Sequence, residues 1–299
     1  MPELPEVETV RARLAPVLTG RRFERVEISD PRLTRPLHPA EVATELEGER
    51  VSEVARRGKY LIVGFESGRS LLIHLRMTGS IRHATRGAAA LTADPYRRAV
   101  VSLDDGSDVV YRDVRRFGTW LLVDPGELEP YLAARIGGEP LARAFTARRL
   151  ADQLRQRRVA IKSALLDQRT FAGMGNIYAD EALWRARLHP LRPANSLGAE
   201  DVEGLRRAVK SALRSGIARQ GATLRDYSTP DGRRGRMQHA LKVYGRSGEP
   251  CERCGTPIEK IRIGGRGTWY CPGCQPLESG YAARRSSSRP SRSRRQSSV

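Results

Sequence analysis

Cys251-Glu252-Arg253-Cys254 and Cys271-Pro272-Gly273-Cys274 hold all four cysteines of the chain, spaced Cys-x2-Cys-x16-Cys-x2-Cys. Two such pairs can close a tetrahedron of thiolates around one Zn2+, a closed structural site with no position left for catalysis. The metal would then fold about 25 residues that are too few to build a core of their own. Disulfides are the competing reading, and they need an oxidising compartment that nothing in the sequence indicates. Between the pairs, Ile258–Ile263 and Thr268–Tyr270 read as the strands of a hairpin with Gly264-Gly265-Arg266-Gly267 at its tip. An Arg on such a tip either reaches into a partner or closes a turn, and the local sequence leaves both open.

Upstream of this module the periodicity is helical. Thr146–Arg157, Ala160–Leu166, Ile177–Ala186 and Ala199–Ile217 read as helices, broken by Gly173-Met174-Gly175, Pro190 and Pro193, with Thr146 as an N-cap. Further upstream the pattern is β. Phe23–Ile28, Tyr60–Phe65, Ser70–Leu75, Ala99–Leu103, Val109–Tyr111 and Thr119–Leu122 are short stretches separated by turns such as Asp104-Asp105-Gly106. Many short strands within about 120 residues predict a sandwich or barrel-like domain. Residues 6–18 precede it, with Val7, Val10, Leu14 and Val17 at helical spacing. The predicted class is α+β: a helix plus β-sandwich domain over 1–143, a helical domain over 144–235 and the Cys-bearing module over 236–280. The Ser/Arg-rich tail over 281–299 is expected to be disordered.

The formal charge is +19, and the six Arg between Arg284 and Arg295 account for six of it, leaving about +13 elsewhere. Such a charge favours a polyanionic partner, most simply nucleic acid. Of 53 basic residues only Lys59, Lys162, Lys210, Lys242 and Lys260 are Lys. Where positive charge alone suffices the chain writes Arg, so a Lys hints at a need for a compact, titratable amine. No apolar run approaches the roughly 20 residues of a membrane span, and no signal peptide is evident, so a cytoplasmic protein is expected.

The N-terminus reads Met1-Pro2-Glu3-Leu4-Pro5-Glu6-Val7-Glu8-Thr9. Removal of Met1 would expose the secondary amine of Pro2, which can attack an electrophilic carbon and become an iminium. Glu3 stands beside it as a proton donor or shuttle. Equally, Met-Pro is an ordinary start and the Glu residues an acidic first turn. These nine residues do not decide between the two.

Together with the Cys pairs, the stretches PELPEVET, RRGKYL, RMTGS, DVRRFG, DQRTFAGMGNIYADEALWRARLHP and LKVYGRSGEPC resemble the formamidopyrimidine-DNA glycosylases, relatives of endonuclease VIII. The resemblance covers residues 2 to about 276. It implies an N-terminal helix plus β-sandwich, a helix–two-turn–helix domain and a zinc-finger hairpin, with duplex DNA in the cleft and one structural Zn2+ on Cys251, Cys254, Cys271 and Cys274. The implied activity is bifunctional: excision of 8-oxoguanine or a formamidopyrimidine in base excision repair, then β,δ-elimination at the sugar. Pro2 is then the nucleophile and Glu3 the acid that opens the sugar. Lys59 serves β-elimination, and Arg266 holds the lesion's phosphate. Glu6 supports this geometry from the first helical turn.

Excision requires the nucleotide to leave the stack. By resemblance Met77, Arg115 and Phe117 fill the gap, Phe117 as a wedge and Arg115 facing the estranged base. Arg116, Arg157, Lys162 and Asn176 are phosphate candidates, Asn176 because glycines and free helical N–H groups beside it can approach phosphate. Tyr178 and Glu181 follow on the same helix. Three departures stand out. Tyr96-Arg97-Arg98 occupies the place of a usual His, so Arg98 is expected to take over a phosphate contact. Arg76 stands where Gly is common. The loop Asp226–Met237, expected to close over the flipped purine, lacks an aromatic near Met237. Two other readings remain, an endonuclease VIII-like enzyme for oxidised pyrimidines and a non-catalytic zinc-ribbon DNA-binding protein. A monomer, associated with the nucleoid through DNA, is expected.

Overall fold

Helix α1 (Leu4–Leu18) begins with Pro5 in its first turn, where a missing N–H leaves no bond unmade. Val7, Val10, Leu14 and Leu18 enter the core of the β domain, whereas Leu4 enters the core of the helical domain. One helix therefore joins both cores, and the residues that precede it are carried to the junction between them.

The computed structural model describes residues 1–85 and 94–277, so the tail lies outside the described residues. Strands β1 (Phe23–Ile28), β2 (Val51–Arg57), β3 (Tyr60–Phe65), β4 (Ser70–His74), β5 (Gly79–Ala84), β6 (Arg97–Leu103), β7 (Asp108–Asp113) and β8 (Thr119–Val123) form two antiparallel sheets. Their orders are β1-β6-β7-β5 and β2-β3-β4-β8. Val26, Ile81, Val101 and Val109 from the first sheet meet Leu61, Val63, Leu71 and Ile73 from the second in one core, as a sandwich requires. Ile62, Leu72 and Val123 on the far face of the second sheet pack on Leu132 of α3 (Leu128–Ala133).

Strands β2 and β5 and helices α2 (Pro39–Leu46) and α3 were not anticipated from the sequence. β5 reads Gly-Ser-Ile-Arg-His-Ala with one large apolar residue, and β2 places Val at two positions among polar neighbours, so neither shows a period of two. Both helices are shorter than the window over which helical periodicity becomes visible.

The helical domain comprises α4 (Ala147–Leu154), α5 (Ile161–Leu166), α6 (Asn176–Ala186) and α7 (Ala199–Ala218). Thr146 caps α4 by accepting from the Arg149 amide at 3.3 Å. Met237 and Leu241 pack in this core rather than against the cysteines. Hairpin β9 (Glu259–Ile263) and β10 (Arg266–Tyr270) carries the cysteine pairs at its base. Among the described residues no helix is long and apolar enough to cross a membrane.

Candidate active site and nucleic-acid interface

Glu3 is 2% exposed and lies across the amino end of α6. Its Oε1 accepts from the Ile177 amide at 2.9 Å and its Oε2 from the Tyr178 amide at 3.3 Å. A helix start offers such unpaired amides, and a carboxylate satisfies them. The approach needs Gly175, since a Cβ there would stand 2.2 Å from Glu3 Cδ, and a Cβ on Gly173 would stand 2.7 Å from that of Leu4. The Leu4 amide also donates to the Gly173 carbonyl at 3.0 Å. The glycines expected to admit a phosphate thus admit the N-terminal segment of the chain itself. Pro2 is pinned by this arrangement and lies buried beneath the exposed Met1.

Glu6 is buried one turn further on. It accepts from the Tyr178 hydroxyl at 2.8 Å, from the Ala222 amide at 2.7 Å and from the Glu3 amide at 2.9 Å. Burial, with Glu3 adding repulsion, pushes its carboxyl up to about 7 against the pull of these donors. Glu6 therefore ties α1, α6 and the segment after α7 into one unit.

Lys59 occupies the turn between β2 and β3 and is 7% exposed. Burial lowers its pKa, the largest effect, while Glu3 and Glu6 raise it and Arg266 and Arg76 lower it further. A lysine shifted in this way is suited to accepting and returning a proton. Arg266 opens β10 and is exposed at the hairpin tip.

Met77 and Arg115 to Phe117 stand on two loops bolted together by Asp113. Its Oδ1 accepts from the Thr78 hydroxyl at 2.5 Å and the Arg115 amide at 3.2 Å, and its Oδ2 from the Gly118 amide at 2.7 Å. With their bases locked, Met77 and Phe117 hold apolar side chains 39% and 50% exposed, and both line one open cleft. The Arg115 guanidinium lies 4.6 Å from the Phe117 ring centroid. Arg76 and Arg116 adopt φ of +50° and +59°. That conformation suits glycine, which accounts for Gly being common at the first of them.

The four cysteines carry no disulfide, and their sulfurs lie within 4.8 Å of one another, with close pairs at 3.4 and 3.9 Å. Four thiolates about 2.3 Å from a tetrahedral Zn2+ lie roughly 3.8 Å apart, so the donor set fits a single zinc ion. Trp184 donates from Nε1 to Cys251 Sγ at 3.4 Å and packs in the same apolar cluster, which docks the module on α6.

Pro2, Met77, Thr78, Arg115, Ile177, Ala222 and residues 224–227 line one cleft of about 370 Å³. Models of the formamidopyrimidine-DNA glycosylase N-terminal domain and H2TH domain match residues 1–120 and 136–228, and that of the zinc finger found in FPG and IleRS matches 248–277. The formamidopyrimidine-DNA glycosylase of a Roseiflexus species is 46% identical over 276 residues, 92% of this chain and 100% of that protein. The chain belongs to the formamidopyrimidine-DNA glycosylase family. Among solved structures, a Lactococcus lactis FPG mutant in complex with Fapy-dG DNA is 38% identical with a TM-score of 0.86. MutM in complex with carbocyclic 8-oxo-G DNA is 38% identical with a TM-score of 0.85, and each covers 92% of this chain and 100% of its own.

Some contacts expected from the glycosylase family take other partners. Lys162, expected at a phosphate, is fully buried, paired with Asp180 at 2.7 Å and bonded to the Gly267 carbonyl at 3.0 Å. Burial presses both members of this pair toward neutrality while their pairing opposes it. Asn176 donates to the same Gly267 carbonyl at 2.9 Å, and Asp180 accepts from the Trp269 amide at 3.0 Å. Lys162 and Asn176 thus anchor the strand that presents Arg266. The amides at the start of α6 are held by Glu3, so they are not the free phosphate seat expected there.

The other arginines expected at phosphates are each held by an acceptor of the chain itself. Arg116 makes a two-bond fork with the buried Asp30, both bonds 2.7 Å, and stays 38% exposed. Arg98 donates to the Asp113 carbonyl at 3.0 Å, and Arg157 is half-buried on Asp167 at 2.7 Å. In the loop 226–237, Asp226 and Tyr227 line the cleft, but Pro230 accepts from the His83 amide at 3.1 Å on β5 and Met237 is fully buried. Asp113, Ala222, Leu224 and Tyr244 at this site were not singled out from the sequence.

Proposed function

We propose that this glycosylase excises oxidised purines from duplex DNA with Pro2 as nucleophile once Met1 is removed, and then opens the strand at the abasic sugar. The Pro2 nitrogen attacks C1′, the N-glycosidic bond breaks, and the base leaves with the bonding electrons. Glu3 relays a proton to O4′, the ring opens, and an iminium forms between Pro2 and C1′. The iminium draws electron density from C2′. Loss of a C2′ proton expels the 3′ phosphate, and a second elimination expels the 5′ phosphate. Lys59 carries protons in these eliminations while Arg266 holds the phosphate. Phe117, Met77 and Arg115 occupy the vacated stack, and Arg98, Arg116 and Arg157 meet phosphates. The zinc ion acts only by folding the hairpin that carries Arg266. We further propose that the enzyme acts as a monomer in the cytoplasm.

The observation that carries this reading is the cleft in which Pro2 meets both wedge loops and the start of α6, with Glu3 pinned beneath it. Borohydride trapping on an 8-oxoguanine·cytosine duplex tests it. The wild-type protein should become covalently linked, while Pro2→Gly or an uncleaved N-terminal tag should not. Full activity of the tagged protein, or an adduct on another residue, overturns the assignment. Excision from duplexes bearing oxidised purine or oxidised pyrimidine then ranks the lesions.

A further inference from the structure

The turn that carries Lys59 is held from outside by a residue of the segment between the two domains. Gly58-Lys59 alone joins β2 to β3, with Arg57 paired to Tyr60 across the turn. Both main-chain polar groups of Gly58 are taken: its N–H donates to Glu139 Oε1, and its carbonyl accepts from Arg56 Nη1 at 2.9 Å. Arg56 and Glu139 are joined by two parallel bonds, each 3.0 Å, and Arg56 Nε reaches Glu8 on α1 at 2.9 Å. The two side chains are 9% and 15% exposed, so this fork is largely withdrawn from water, where charge-assisted pairs hold geometry best.

The segment around Glu139 is tied on its other side as well. The Gly137 amide donates to the Gln168 carbonyl at 2.8 Å, and the Ala172 amide to the Gly138 carbonyl at 3.1 Å. The Gln168 side chain accepts from the Gly173 amide and donates to the Met174 carbonyl. This is the glycine loop whose end receives Glu3. Gly58 has a φ of +56°, and a Cβ there would stand 3.3 Å from Ala172 Cβ and from the Gly173 nitrogen, so turn and loop already touch.

We propose that Glu139 is the positioning residue that fixes the Lys59 turn against the glycine loop, and so sets the separation of Lys59 from Pro2 and Glu3. The proposal rests on the role given to Lys59 above. Glu139 itself is held away from the reacting atoms and acts through Arg56 and Gly58.

Single-turnover cleavage of a duplex with a preformed abasic site tests it, using Glu139→Ala, Lys59→Ala and the double variant. Glu139→Ala should be slower by roughly 10- to 100-fold, the penalty of a small misplacement, with duplex Kd and zinc content unchanged. The double variant should be no slower than Lys59→Ala, because a residue that works through Lys59 has nothing left to position. Glu139→Gln keeps an oxygen for the Gly58 amide but turns an amide nitrogen toward Arg56, and should fall between. If Glu139→Ala does not fold, Glu139→Gln with its Lys59→Ala double carries the same comparison. A wild-type rate for the Glu139 variant, or losses that multiply in the double, overturns the proposal. A wild-type rate for Lys59→Ala instead overturns the role of Lys59, leaving the two failures distinct.

Discussion

The carboxylate of Glu3 fills the space that a side chain at position 175 would need, with its Cδ 2.2 Å from where a Cβ of that residue would lie. Gly175 has a φ of −135°, which any residue adopts, so its requirement is one of space alone. This relationship joins an N-terminal residue to a helix start more than 170 residues away, and it orients the segment that bears Pro2.

Gly175→Ala should therefore act on catalysis before it acts on folding. Displacing Glu3 from the Ile177 amide moves both it and Pro2, and a shift of about 1 Å at a reacting group costs on the order of 100-fold in rate. Single-turnover excision should fall by that order while zinc content and affinity for undamaged duplex stay unchanged. An alanine variant with wild-type excision would show that Glu3 need not lie where it does.

Phe117→Ala and Met77→Ala should separate unstacking from chemistry. Both side chains are exposed and line the mouth of a neighbouring cleft of about 650 Å³, so their removal should leave thermal stability within about 0.5 kcal/mol. Excision of a paired lesion should slow roughly tenfold or more, because extrusion then lacks its wedge. Cleavage at an abasic site in single-stranded DNA should change little. Equal losses on both substrates would place these residues in the chemistry instead.

Removal of zinc should disorder the hairpin and displace Arg266 at its tip. Trp184 bonds to Cys251, and Trp269 lies on β10, so two of the three tryptophans report on the module. Chelation should change tryptophan fluorescence and weaken duplex binding together, and added zinc should restore both. Unchanged affinity in the metal-free protein would remove the structural role of the ion.

Glu6 predicts a specific pH dependence of stability. Its folded pKa of about 7 lies above the ordinary 4.5, so the folded state holds the proton more tightly than the unfolded chain. Its contribution is present at low pH and is lost as pH rises from about 4.5 to 7, by about 3 kcal/mol at most. His74 works in the opposite sense. Burial, Arg76 and Lys59 push it down to about 3, so it costs stability as pH falls below its ordinary 6.5. The measurement is therefore the difference in Tm between wild type and Glu6→Gln, with Glu3, Lys59, Tyr178 and Tyr227 facing the site in both. Wild type should lose ground to the variant between pH 4.5 and 7 and hold level above it. A difference independent of pH would mean that Glu6 is charged throughout.

Much of the architecture was legible because its signals are local. The Cys-x2-Cys pairs are a short-range chelate, and Val7, Val10 and Leu14 repeat at helical spacing whatever lies opposite them. β1 and β3 were read with their observed limits, since Phe23–Ile28 and Tyr60–Phe65 are bounded by turn residues. Strand β5 escaped because its partner β7, not its own residues, supplies the apolar neighbours.

The candidate site was legible mainly through resemblance, and the folded chain decided what its residues touch. Lys162 was expected at a phosphate, yet it is buried on Asp180 and the Gly267 carbonyl. The glycines at 173 and 175 looked like a phosphate loop, yet they receive Leu4 and Glu3. Composition and spacing by themselves determined a basic α+β protein with a thiolate metal site. That Pro2, the loops after β4 and β7 and the start of α6 share one cleft was decided only by tertiary packing. The reason is physical: periodicity and chelate spacing are properties of neighbouring residues. A hydrogen bond between Glu6 and Ala222, 216 positions apart, exists only after two cores have formed around the helix they share.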